Sequence, residues 1–286
     1  ELDIQGTKTI TPAGLAHLAE LPALEQLNLY IVNEGGDGLG DAALKAISQS
    51  KALRDLGVRE CDVSDEGARY LAGMTQLTAL NLSGNALTDA GVKHLAGLTN
   101  LQQLDLSQSS WFRSRMVITD EGMKSLSNMT QLRSLSIGRL GGITDAGLKH
   151  LSGLTNLRSF AFAGTAVTTR NLPFSRLQSL EFSGSQVTDA TLGSIVQYRD
   201  LRNLTLQYTS VTDAGMERIA SLKELRRLTL DSHEISDVGI AHLKALPKLE
   251  HVWLRADRVS DASLASLAEI KSLTRLDLFG SGQPGV

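Results

Sequence analysis

The side chains able to do chemistry in this 286-residue sequence are six histidines, one cysteine and a long series of aspartates, and their spacing says how they could be used. Cys61 would need an adjacent histidine and a third group orienting that histidine to act as a nucleophile; nothing in the sequence points to either. A lone cysteine also excludes an intrachain disulfide and a multi-cysteine metal site. His17, His94, His150 and His242 each stand one residue before a leucine, in one slot of a recurring pattern. They are therefore spread along an outer surface, one per repeat, and do not form a ligand set. His251 with Asp231 or Asp277 makes a dyad on paper, but no activated nucleophile completes it. Asp41, Asp65, Asp89, Asp120, Asp145, Asp189, Asp213, Asp237 and Asp261 also share one slot. Each is assigned to its own helix start, so they form an acidic stripe and not a cation cage. The glycines fall in turns and helix starts without phosphate-loop spacing. The expectation is a non-catalytic protein with no metal and no cofactor.

Composition narrows the partners. A net charge of -3 and a pI near 6.1 argue against a surface that tracks nucleic-acid phosphates. No apolar run approaches the roughly 18 residues of a membrane span. Hydrophobic residues make up 42% and aromatics only 4%, so the core must be Leu, Ile, Val and Ala. The sequence opens at Glu1 already within a strand pattern, without an initiator Met or signal peptide, as expected of a fragment or processed form. The compartment stays open between secreted and cytoplasmic.

The elements that must position these residues come from a repeat. The frame LxxLxL, with conservative replacements, begins at Leu24, Leu53, Leu77, Leu101, Leu132, Leu157, Leu177, Leu201, Leu225, Leu249 and Leu273, mostly 24 residues apart. Leu2 and Ile4 fit the end of one more. In Leu77-Thr-Ala-Leu80-Asn-Leu82 the residues alternate as in a strand; from Leu87 to Leu98 they follow helical spacing. Thr88 is read as an N-cap, with Asp89 at the positive end of the helix dipole; Thr11-Pro12 supports that register. The Asn85 slot, occupied elsewhere by Cys61, Ser109, Thr165, Ser185, Thr209 and Ser281, suits a side chain bonding the adjacent turn. His233 and Asp257 fit it loosely. One strand and one helix per unit cannot bury their apolar sides alone, so units must stack.

The pattern LxxLxLxxN/C followed by a helix resembles the leucine-rich repeats, closest to the cysteine-containing and ribonuclease-inhibitor-like subtypes. LTDAGVKHLAGLTNLQQLDLS and ITDAGLKHLSGLTNLRS look like bacterial members, and Asp65-Glu-Gly-Ala-Arg is similar to helix starts in GALA-type effectors. The expected fold is an α/β leucine-rich repeat solenoid, a curved horseshoe with a parallel concave sheet and helices on the convex side. It forms a single domain over residues 1–286 with about 11–12 repeats. Insertions lie near 30–39 and 108–117, and a shortened repeat near 165–176, where an extended or turn segment replaces a helix.

The resemblance specifies a shape and not a chemistry. The non-leucine strand positions face the concave side: mixed polar residues first, then small ones (Ser134, Ser136, Ser159, Ala161), then an aromatic and basic group. That last group supplies the expected partner-binding residues Tyr208, Arg227, His251, Trp253, Arg255, Arg275 and Phe279. Trp111, Phe112 and Arg113 in the second insertion are expected either to touch a partner or to fold back over a neighbouring repeat. A protein partner is expected. Rival readings are the substrate receptor of a secreted bacterial effector with a ubiquitin-ligase element elsewhere, a carbohydrate or small-ligand binder, and a structural array. The strands around Leu2–Ile4 and Leu276–Leu278 are sheet edges, and end-to-end self-association is expected of them.

Overall fold

A computed structural model describes residues 1–6, 10–30, 39–109, 116–168 and 172–280. The chain divides into two compact units, Glu1–Leu157 with Thr165–Val167, and Arg158–Gly164 with Thr168–Val286. The first carries strands β1 (Leu2–Gln5), β2 (Gln26–Tyr30), β3 (Asp55–Val58), β4 (Ala79–Asn81), β5 (Gln103–Asp105) and β6 (Ser134–Ser136). Its helices are α1 (Pro12–Ala16), α2 (Leu39–Ile47), α3 (Asp65–Leu71), α4 (Asp89–His94), α5 (Asp120–Ser125) and α6 (Asp145–Lys149). The second carries β7 (Ser159–Ala161), β8 (Ser179–Ser183), β9 (Asn203–Gln207), β10 (Arg227–Asp231), β11 (His251–Arg255) and β12 (Arg275–Phe279). With them run α7 (Asp189–Ile195), α8 (Asp213–Ile219), α9 (Asp237–Ala241) and α10 (Asp261–Ala268). Within each unit every strand pairs in parallel with the next in sequence. The fold is a leucine-rich repeat solenoid.

Leucine at the inward strand positions explains the stacking. Leu56, Leu80 and Leu104 pair across β3, β4 and β5 and are at most 2% exposed. Each such side chain contributes roughly 1.5–3 kcal/mol on leaving water. The helices cover one face of the sheet, so strand residues alternate between buried and half-exposed, as in β9 and β11.

Two polar devices join the repeats. Asn85 accepts hydrogen bonds from the Cys61 and Val63 backbone N–H groups (3.1 and 3.0 Å) and donates to the carbonyls of Val58 and Leu82 (2.7 and 2.8 Å). Cys61 fills the same slot one repeat earlier, its thiol donating to the Leu29 carbonyl at 3.4 Å. Near β10 the buried hydroxyl belongs to Ser232, which donates to the Val211 carbonyl at 2.6 Å; His233 instead pairs with Asp257.

The second device differs from the sequence expectation. Thr88 does cap α4, accepting from Ala90 N–H. The aspartate beside most of these caps, however, reaches forward into the next repeat. Asp65 accepts from Thr88 N–H (2.8 Å) and Thr88 Oγ1 (2.6 Å). Asp89 does the same for Thr119, Asp120 for Thr144, Asp189 for Thr212, Asp213 for Ser236 and Asp237 for Ser260. The carboxylate needs space where it crosses, which accounts for the glycine three residues past six of these caps; past Ser260 the position holds Ser263, whose hydroxyl donates to the incoming Asp237. A Cβ at Gly67, Gly91, Gly122, Gly147, Gly215 or Gly239 would lie 2.0–2.6 Å from the preceding aspartate's Oδ1. At α7, which has no described helix in the repeat before it, Thr191 occupies that position and its Oγ1 accepts from Thr188 N–H at 3.1 Å.

No described residue between β7 and β8 is helical. Aromatic rings fill the volume. Phe160 stacks on Phe162 (4.9 Å between centroids) and meets Phe174 edge-on (5.0 Å), while Phe162 stacks on Phe182 (5.4 Å). Tyr198 is buried, with its hydroxyl donating to the Leu172 carbonyl, and burial pushes its phenol up to about 12.

Candidate partner-binding face

Parallel strands stand about 4.8 Å apart, so residues in register form rows across the face left open by the helices. In the second unit the rows follow from the pairing. Arg227, His251 and Arg275 share one; Thr229, Trp253 and Asp277 the next; Asp231, Arg255 and Phe279 the third. Seven residues expected to bind a partner thus lie on or beside four consecutive strands, β9 to β12.

Their states differ. Trp253 and Phe279 pack together, 5.1 Å between ring centroids and tilted by 35°, and Phe279 remains 38% exposed. Arg227 is exposed, and neither it nor the half-exposed His251 has a side-chain partner among the described residues. Arg275 bonds Asp277 at 2.8 Å in its own strand. Arg255 is 27% exposed and lies over Asp231, which is 3% exposed. Their closest approach, Nη1 to Oδ2, is 3.8 Å, and both Asp231 Oδ1 and Arg255 Nε are buried without a hydrogen-bond partner. Sequence register puts Asp231 on the open face, but only the packing shows that Arg255 roofs it.

Tyr208 stands two residues past the last inward side chain of β9. Equivalent positions hold Gly6, Gly84, Gly164 and Gly184 after four strands, and Glu60 and Arg139 after β3 and β6, all with positive φ. Tyr208 adopts a left-handed conformation (φ 54°) while 64% exposed. A non-glycine residue there costs roughly 1–2 kcal/mol. The alignment of this slot with glycine was visible in the sequence; the dihedral was not.

Glu60 takes the left-handed slot after β3 (φ 56°), but its side chain is only 2% exposed. Its carboxylate accepts from Tyr30 Oη (2.9 Å) and Ser109 Oγ (2.7 Å), and its Cγ lies where a Cβ on Gly84 would sit. Burial, then the bond to Glu60, pushes the Tyr30 phenol up. Tyr30 and Ser109 are the described residues that precede the two insertions. The repeat period gives no sign of this junction, because the bond to Ser109 spans 49 residues. Trp111, Phe112 and Arg113 lie outside the described residues.

Among the described residues, no three His, Cys, Asp or Glu side chains gather as metal ligands, and no helix is long and apolar enough to cross a membrane. His17, His94, His150 and His242 fall in or just after four different helices, as the repeat dictates.

Comparison with known proteins agrees with the repeat geometry. Residues 112–285 match a family model described as a leucine-rich repeat region, and residues 49–72 and 73–96 each match a leucine-rich repeat model. No curated protein sequence matches. Among solved structures, an internalin (InlF) from Listeria monocytogenes is similar over 98% of this chain and 80% of its own, with 19% identity and a TM-score of 0.57. A chain in the crystal structure of the Rad7 and Elc1 complex in yeast is similar over 97% of this chain and 86% of its own, with 18% identity and a TM-score of 0.58. At these identities the likeness is one of fold.

Proposed function

The chain belongs to the leucine-rich repeat family, and from that premise we propose that it is a non-catalytic scaffold recognising a protein partner through the open sheet face of β9 to β12. The observation that carries this reading is Tyr208, a large aromatic kept in a glycine-type backbone conformation and turned to solvent at the end of β9, two strands from β11, which carries Trp253 and Arg255. An exposed aromatic that costs stability is explained by what it binds. Aromatic and arginine side chains are also the usual interface anchors. The stacked repeats hold these side chains in fixed rows, so little ordering entropy is lost on docking. The yeast chain of similar fold comes from a complex of Rad7 and Elc1, which is consistent with such a role. We extend the proposal to Trp111, Phe112 and Arg113 in the second insertion.

The test is affinity capture from the lysate of the organism that carries the gene, with wild-type protein and the Trp253→Ala/Arg255→Ala variant side by side. A protein retained by the wild type and lost by a variant of unchanged circular dichroism supports the reading. Equal retention by both would remove this face from consideration, and selective retention of glycans would favour the carbohydrate alternative.

A further inference from the structure

We infer that the patch takes an acidic segment of the partner, a carboxylate next to a large apolar side chain, with Arg255 recognising the carboxylate; this rests on the recognition reading above. Asp231 is enclosed at the end of β10, with one carboxylate oxygen lacking any hydrogen bond. Arg255 faces it at 3.8 Å with a buried, unused Nε. Paired arginine and carboxylate groups normally close to about 2.7–2.9 Å through two parallel bonds. The free protein therefore holds an ion pair that is not closed. Asp231 is buried, and Arg255 is the more exposed member.

When Arg255 turns so that Nε and Nη2 close on Asp231, Nη1 is left as a donor with no acceptor capacity. What it takes must be an acceptor. Charge selects a carboxylate over a neutral carbonyl. The open positions of β10 to β12 carry Arg227, Arg255 and Arg275 against Asp231 and Asp277. Asp231 is buried and Asp277 and Arg275 are bonded to each other, which leaves Arg227 and the incompletely paired Arg255 as the cationic charge of the face, within a chain of net charge -3. Trp253 and Phe279, in or beside the same rows, supply the apolar contact for the residue next to the acid.

The experiment is selection of random dodecapeptides displayed on phage against the immobilised full chain, followed by titration of the synthesised winners. The expected winners carry Asp or Glu beside an aromatic or large aliphatic residue. Changing that acid to its amide weakens binding about tenfold or more, as does Arg255→Lys, which keeps the charge but loses the fork; added salt weakens it too. Winners without an acid, winners indifferent to the amide, wild-type binding by Arg255→Lys, or no winners at all would overturn the acidic specificity. Acidic winners indifferent to both Trp253→Ala and Tyr208→Ala would overturn the site itself, and with it the recognition reading.

Discussion

The aspartate that crosses from one repeat to the next makes a glycine necessary, and this coupling can be measured. Asp213 holds Ser236 through two bonds, 2.8 Å from the N–H and 2.6 Å from the hydroxyl, and a Cβ on Gly239 would sit 2.3 Å from its Oδ1. The neighbours next nearest to that Cβ, in Ile235 and Met216, are side-chain atoms 3.1 Å away that can yield. Past Ser260 the incoming Asp237 accommodates Ser263 because that hydroxyl bonds it in return; alanine at Gly239 offers no such bond, so the carboxylate is expected to retreat and lose both of its bonds. In this partly exposed setting they are worth about 1 kcal/mol each, while alanine returns about 1 kcal/mol of helix propensity, for a net loss near 1 kcal/mol. Asp213→Ala should cost about 2 kcal/mol by the same count. In the double variant the clash is absent and the propensity gain remains, so the loss is about 1 kcal/mol where additivity requires about 3. Gly239→Ala thus changes sign with the background: destabilising in the wild type, stabilising beside Asp213→Ala. Urea unfolding of the four proteins at a common slope reads this directly. A Gly239→Ala cost that is the same in both backgrounds, to within about 0.5 kcal/mol, would show that carboxylate crossing is not why glycine is there.

The same bonds set the acid limit. Hydrogen bonds from Ser260 and Ser263 hold Asp237 down at about 2, and at Asp213 burial is outweighed by the bonds from Ser236, which leave it below the ordinary 3.8. Carboxylates depressed in the folded state lend stability that is complete above the unfolded value and lost as they protonate. The melting temperature should therefore hold down to pH of about 4 and fall between about 4 and 2, less steeply in Asp237→Asn; an unchanged slope in that variant would refute the assignment. Asn85→Ala removes four buried hydrogen bonds and should cost about 3 kcal/mol or more in urea unfolding. Tyr208→Gly should raise stability by up to about 1 kcal/mol by relieving the left-handed backbone, while weakening partner binding about tenfold; both are read on the same sample by melting and titration.

The sequence by itself determined the repeat, the alternation of strand and helix, the caps at Thr88 and its equivalents, and which strand residues share a face. These follow from periods and short-range steric rules carried by every unit, so one misread unit is corrected by its neighbours. The rows containing Trp253, Arg255 and Phe279 were legible for that reason. Tertiary structure alone decided what happens between units. It aimed Asp65 and Asp213 forward, buried Glu60 between Tyr30 and Ser109, roofed Asp231 with Arg255, and turned Tyr208 outward. A trace of the first was present in the letters, since glycine recurs three residues past six caps that receive an aspartate, with Ser263, which itself donates to the incoming Asp237, as the departure. The remainder depends on side-chain torsions and on contacts 22 to 49 residues apart, and a period states which residues are neighbours without stating which of two polar groups will bend toward the other.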